Sequence, residues 1–343
     1  MISSYTSWQP LEEVIVGRCY PGDYFDYLPN KKVSDQLKKI LDETEEDLDY
    51  LSYVCQEFGA TVQRPDIMSK DQFQQHQIDY GEATMPPLTP RDWQISMGDK
   101  LLVTTPMEEM HTIINQYEKD NPGSVIDPFD REWNPDILMN GAVASCVVRV
   151  GTDVFFDNSD WWTPEQTEWV RQNVLDDRYT IHEARTEGHG DAVFAILKPG
   201  VILSTYHADD LDLDSEFPGW DILRVEKSNL QEALALGKFK EENFNGQWYV
   251  QGTKPTDEFS QYVDKYLKNW TGEAEETVFD VNCLVLDESH VIMSSTKPEI
   301  ETFLKKHNIE PIIVPLRHRY FWDGGISCCT QDIRRKGGLE SYL

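Results

Sequence analysis

The chain has 343 residues, of which 39% are apolar and ten are tryptophan, enough to bury a substantial core. Against 31 Lys and Arg stand 61 Asp and Glu, a formal charge of −30, so phosphate backbones are repelled and nucleic acid is excluded as a partner. No run of 18 consecutive apolar residues occurs, which argues against a membrane span, and such a carboxylate excess also suits a high-salt environment.

MISSYTSWQP has neither the basic start nor the apolar stretch of a secretory signal, so a cytoplasmic protein is expected. The six cysteines, at 19, 55, 146, 283, 328 and 329, include no CxxC pair and read as reduced thiols, with no metal site.

In chain order, a short apolar run, a turn and a second apolar run recur. WQISMGDKLLVTT (93–105), CVVRVGTDVFFDN (146–158), AVFAILKPGVILST (192–205) and VNCLVLDESHVIMSS (281–295) each read as a strand hairpin. A fifth unit would combine EEVIVGRC (12–19) with IEPIIVPL (309–316), one strand from each end. Helical spacing appears between them at 33–59, 164–176, 257–270 and 298–309, and the stretch 206–256 reads as a loop-rich insertion. Hairpins alternating with helices predict an α/β repeat architecture in a single domain, 1–343, that closes into a ring with its N- and C-terminal strands sharing a blade. An open mixed sheet is the alternative.

Three places suggest chemistry. In GGISCCTQDIRRKGG (324–338), Cys328 and Cys329 follow two glycines; as strand neighbours they would face opposite sides, and the residues alone do not say which one lines a cavity. In EGHGDAVF (187–194), His189 and Asp191 project to one side of an extended segment, an acid/base beside an anion, though HxD is as readily a structural hydrogen bond. In TPRDWQISMGD (89–99), Arg91 and Asp92 precede the first hairpin and could equally be an ion pair at a sheet edge.

Together WQPLEEVIVG (8–17), TPRD (89–92), GHGDAVF (188–194), VNCLVLDE (281–288) and the C-terminal GGISCCTQDIRRKGGLESYL resemble the amidinotransferases of the glycine amidinotransferase type, within the pentein superfamily of guanidine-modifying enzymes. The resemblance implies a five-bladed α/β propeller with pseudo-fivefold symmetry. It implies a cofactor-free transferase moving an amidino group from a small-molecule guanidine donor, arginine-like, to an amine acceptor through an amidino-cysteine intermediate; a homodimer is left open. Counting back from Asp332, it assigns the nucleophile to Cys328, the acid/base to His189, and guanidinium-holding carboxylates to Asp191 and Asp92, with Arg91 also on the substrate side. A hydrolase of the same superfamily using the same Cys and His, or a pentein scaffold that binds without turnover, are the competing readings.

Two positions depart from the family's pattern. Where an acidic partner for the histidine is expected stands Val143, with Asn140 as its candidate substitute. Where an arginine would hold the donor's α-carboxylate stands Ala208, followed by Asp209 and Asp210. Loss of that contact is worth roughly 1.5–3 kcal/mol, about one to two decades of affinity. Agmatine, which lacks the carboxylate, is therefore expected to exceed arginine in kcat/KM. Arginine ahead by tenfold or more would show that another cation has taken over the carboxylate.

Overall fold

The computed structural model describes residues 1–158, 161–185, 189–205, 211–225, 248, 250, 253–271 and 281–343. Among them are five sheets of three strands each. The first joins β1 (Leu11–Val16), β2 (Thr61–Gln63) and the C-terminal β15 (Thr330–Arg335). The second holds β3 (Gln94–Met97), β4 (Lys100–Val103) and β5 (Val125–Ile126), and the third β6 (Val147–Val150), β7 (Asp153–Asp157) and β8 (Thr180–Ala184). The fourth holds β9 (Phe194–Lys198), β10 (Val201–Ser204) and β11 (Asp221–Arg224), and the fifth β12 (Leu284–Asp287), β13 (His290–Met293) and β14 (Glu310–Ile313).

Every sheet repeats one pairing scheme. An antiparallel pair is followed by a helix, and a third strand returns parallel to the second. In the first sheet the antiparallel pair is β15 with β1, Val14 opposite Asp332, and β2 returns parallel after the helix Lys31–Glu57. The four expected hairpins are all present, two of them turning at Gly98 and Gly151, whose positive φ of 63° and 68° a side chain rarely adopts.

The fifth unit differs from the sequence reading. The C-terminal partner of β1 is β15, whereas the strand expected there, within 309–316, is β14 and pairs with β13. IEPIIVPL is the returning third strand of its own hairpin, reached through the helix Pro298–Lys306, and local chain connectivity fixes that pairing. Residues 206–256 are not simply an insertion either, because they include β11, the third strand of the fourth sheet.

The helices cover the sheets with apolar faces. In Lys31–Glu57, capped by Asn30 accepting from the Lys32 amide, Leu37, Ile40, Leu41, Leu48, Leu51 and Cys55 are buried at three- and four-residue spacing. They pack with Val14 and Val16 of β1, Leu284 and Ile292 of the fifth sheet, and Phe259, Val263 and Leu267 from the helix Asp257–Tyr266 and its end. Burying each such side chain contributes about 1.5–3 kcal/mol.

On β15 one carboxylate gathers four polar partners. Asp332 on β15, 1% exposed, accepts from Arg149 Nη2 on β6 at 2.9 and 2.7 Å, from Arg91 Nη2 at 3.0 Å, from Arg335 Nε at 2.7 Å and from Ser4 Oγ at 2.9 Å. Burial alone would raise its pKa, but Arg149, Arg335 and Arg91 together hold it well below the usual carboxylate range. The N-terminal residues are laced in beside it, with bridges from Ser4 to Gly98 and from Thr6 to Val150. Removing the charge from a buried, fully hydrogen-bonded ion cluster strands its partners, so Asp332→Asn should lower the unfolding free energy in urea by about 3–5 kcal/mol. A loss under about 1 kcal/mol would show that the guanidiniums are compensated elsewhere.

Candidate active site

Four of the sequence-derived site residues occupy equivalent places in the repeat, the short turn that leads into the first strand of a sheet. Arg91 and Asp92 lie in the turn Pro90–Trp93 before β3, His189 precedes the turn Gly190–Val193 before β9, and Cys328 lies in the turn before β15. The corresponding turns of the other two sheets are Ala144–Cys146 before β6 and residues 281–283 before β12. The turns touch one another: Arg91 N approaches Cys328 O at 3.5 Å, and a Cβ placed on Gly190 would come within 3.5 Å of Ser145 O.

Cys328 and Cys329 are not strand neighbours, as the sequence suggested, but part of a helical turn closed by Cys329 N donating to Gly325 O at 3.1 Å and Thr330 N to Ser327 O at 2.9 Å. The turn still separates them. Cys329 packs in the apolar core with Val16, Tyr20 and Leu48, where burial first, then the charge of Asp92, pushes its thiol up to about 12, only partly offset by Arg64. Cys328 Sγ instead accepts a hydrogen bond from Asn282 Nδ2 at 2.9 Å.

Asn282 organises this turn and was missed as a site residue, although it lies within the quoted VNCLVLDE. Buried at 4% exposure, it donates to Cys328 Sγ, and its Oδ1 accepts from the amides of Ser327 at 2.7 Å and Cys328 at 3.4 Å. Gly325 is needed for the same contact, since a Cβ there would strike the Asn282 amide at 2.4 Å. The segment ahead of the turn is tied to the helix Lys31–Glu57: Arg317 Nε donates to Asp47 at 2.8 Å, His318 Nε2 meets Glu43 at 2.6 Å, and Trp322 Nε1 donates to Thr44 at 2.9 Å. Burial lowers the His318 pKa despite the Glu43 carboxylate, which opposes that shift.

Asp92 and His189 come together. His189 Nδ1 lies 3.8 Å from Asp92 Oδ1, and Trp161 sets its ring edge-on to the imidazole with centroids 5.3 Å apart. Trp161 carried no sequence signal. Asp191 falls in the turn Gly190–Val193; its side chain lies outside the described residues, as do Ala208, Asp209 and Asp210.

Arg91 is 8% exposed and engaged inward, its Nε on Ser327 O at 2.9 Å and Nη2 on Asp332, so it ties the Cys328 turn to the buried carboxylate. Asn140 is exposed, with its amide 3.4 Å from Pro135 O. Val143 is partly buried, and its carbonyl accepts from Trp162 Nε1 at 2.8 Å. Among the described residues, no group of three or more His, Cys, Asp and Glu could hold a metal, and no helix is long and apolar enough to cross a membrane.

No family model matches the chain. It is 24% identical to the mitochondrial glycine amidinotransferase of Xenopus laevis, over all of this chain and 85% of that protein, and 23% identical to inosamine-phosphate amidinotransferase 1 of Streptomyces griseus, over all of this chain and 99% of that one. Its homologues are amidinotransferases. The fold agrees: the solved inosamine-phosphate amidinotransferase of Streptomyces griseus superposes with a TM-score of 0.68 at 20% identity, covering all of this chain and 99% of that one. A more distant neighbour, the N-terminal domain of a cyanobacterial arginine dihydrolase, has a TM-score of 0.58 at 12% identity over 94% of this chain and 97% of that one. The α/β fold thus matches the pentein amidinotransferase structures.

Proposed function

We propose that the chain is an amidinotransferase with Cys328 as nucleophile. The observation that carries this is the convergence of Cys328, Asp92 and His189 on touching, equivalent turns, in a chain whose full-length homologues are amidinotransferases. In this reading the five sheets close into a five-bladed propeller, the whole of 1–343 forms one domain, and the ring brings its turns to one central site. The protein acts in the cytoplasm on a guanidine donor and an amine acceptor.

The Cys328 thiolate attacks the central guanidinium carbon, and as the C–S bond forms the C–N bond to the leaving amine breaks. His189 gives its proton to that amine, leaving an amidino group on sulfur. An acceptor amine then loses a proton to His189 and attacks the same carbon; the C–S bond breaks and the thiolate returns. Asp92 and Asp191 pair with the planar cation. Asp92, facing His189 at 3.8 Å, sets a carboxylate beside the imidazole, where Val143 offers none. The Asn282 amide donates to sulfur and so favours the thiolate over the free thiol, whose unperturbed pKa is about 8.5. Cys329, held protonated in the core, has no part in the chemistry.

The test is to incubate the protein with arginine, agmatine and a panel of amines and to identify products by mass spectrometry. Amidinated amine is expected, whereas ureido product or ammonia alone would mean that water is the acceptor, the reaction class of the dihydrolase neighbour. Cys328→Ala should abolish turnover, at least a thousandfold in kcat, while Cys329→Ala keeps it within about tenfold. The reverse pattern would overturn the assignment of the nucleophile.

A further inference from the structure

Two tryptophans stand side by side just beyond β7, in different surroundings. Trp162 is 2% exposed: its Nε1 donates to the Val143 carbonyl at 2.8 Å, and its ring meets Phe156 edge-on with centroids 4.9 Å apart. Thr163, next along, caps the helix Pro164–Asn173, its side chain accepting from the Gln166 amide at 3.2 Å. Trp161 is thus held by the residues that follow it while it stays 36% exposed.

Its indole lies against His189, with ring centroids 5.3 Å apart and planes at 73°. The backbones behind the two rings also meet. A Cβ on Gly190, next to His189, would come within 3.1 Å of Val148 and 3.5 Å of the Ser145 carbonyl, in the segment that Trp162 grips at Val143. The His189 side chain retains 20% exposure, so the indole covers part of a group that solvent still reaches. Water beside an indole gives up hydrogen bonds that ring carbons do not return, whereas the carbon frame of an amine loses nothing there.

We propose that Trp161 is a specificity-determining residue that favours an amine over water as the acceptor of the amidino group. The inference rests on the amidino-cysteine chemistry proposed above. Water in place of the amine would form a C–O bond to the amidino carbon as the C–S bond breaks. Urea would leave, with one proton of the water passing to the thiolate and the other to His189. By covering His189, Trp161 limits the water that this base can activate.

The test compares wild type with Trp161→Ala and Trp161→Phe, given arginine or agmatine and an amine, and reads the ratio of urea to amidinated amine. That ratio should rise about tenfold or more in Trp161→Ala and stay within about threefold of wild type in Trp161→Phe. A purely structural fault would lower both products together and leave the ratio unchanged, which would overturn the proposal. A second reading needs no turnover: the rate at which diethyl pyrocarbonate modifies His189, mapped by peptide mass spectrometry. Trp161→Ala should raise that rate about fivefold or more, and an equal rate would show that the indole does not cover the imidazole. Wild-type protein that forms no amidinated amine would instead overturn the transferase reading, and with it a role for Trp161 in choosing the acceptor, even if the modification rate rose as expected.

Discussion

The Asp332 carboxylate is the contact on which the arrangement depends. Its partners come from the turn before β3, from β6, from β15 itself and from the N-terminal segment, so one buried anion fixes elements that are far apart in sequence. A buried ion pair is weak evidence of stability, because desolvation consumes much of the Coulombic gain. Its value here is geometric. Arg91 reaches from Asp332 to the carbonyl of Ser327, and the next residue is Cys328. The carboxylate that ties these elements together therefore also bears on the position of the proposed nucleophile.

Around that contact the repeat supplies equivalent positions and the side chains break the equivalence. Each sheet presents a short turn ahead of its first strand, and those turns carry Cys328, Asp92, the uncharged Val143 to Cys146 stretch, His189 and Asn282. Rigid elements stand behind them, including the anchors from Arg317, His318 and Trp322 to the helix Lys31–Glu57. Such support matters because acid/base and nucleophilic steps lose rate steeply with small misplacements. The two adjacent cysteines show how far environment can separate equal chemistry: one faces an amide donor, and the other sits in apolar core with its thiol held protonated.

Much of this was legible in the sequence where the signal was local. Four hairpins could be read from apolar alternation around turn residues, and the long helix from its spacing. The pairing of β1 could not, because no turn joins it to β15, and TQDIRR reads as a polar tail until its buried face is seen against Arg91 and Arg149. The third strands β2, β5, β8 and β11 were invisible for a related reason: they have two to five residues and most are half-exposed, so they carry little apolar pattern. At the site, the spacing to Asp332 singled out Cys328 only through resemblance to a family. Asn282 was passed over because an isolated asparagine has no pattern, and the contacts of Arg91 to Ser327 and Asp332 could not be read because a sequence does not show which way a guanidinium turns.

The central claim is that Cys328 carries the amidino group between donor and acceptor. It is tested most directly by mixing the protein with a guanidine donor in the absence of any acceptor amine, quenching in acid within the first turnover and mapping the modified peptide by mass spectrometry. The account predicts one amidino group per chain, on Cys328, that disappears when an acceptor amine is added before the quench. A modification on Cys329, or turnover with no covalent species at all, would contradict it.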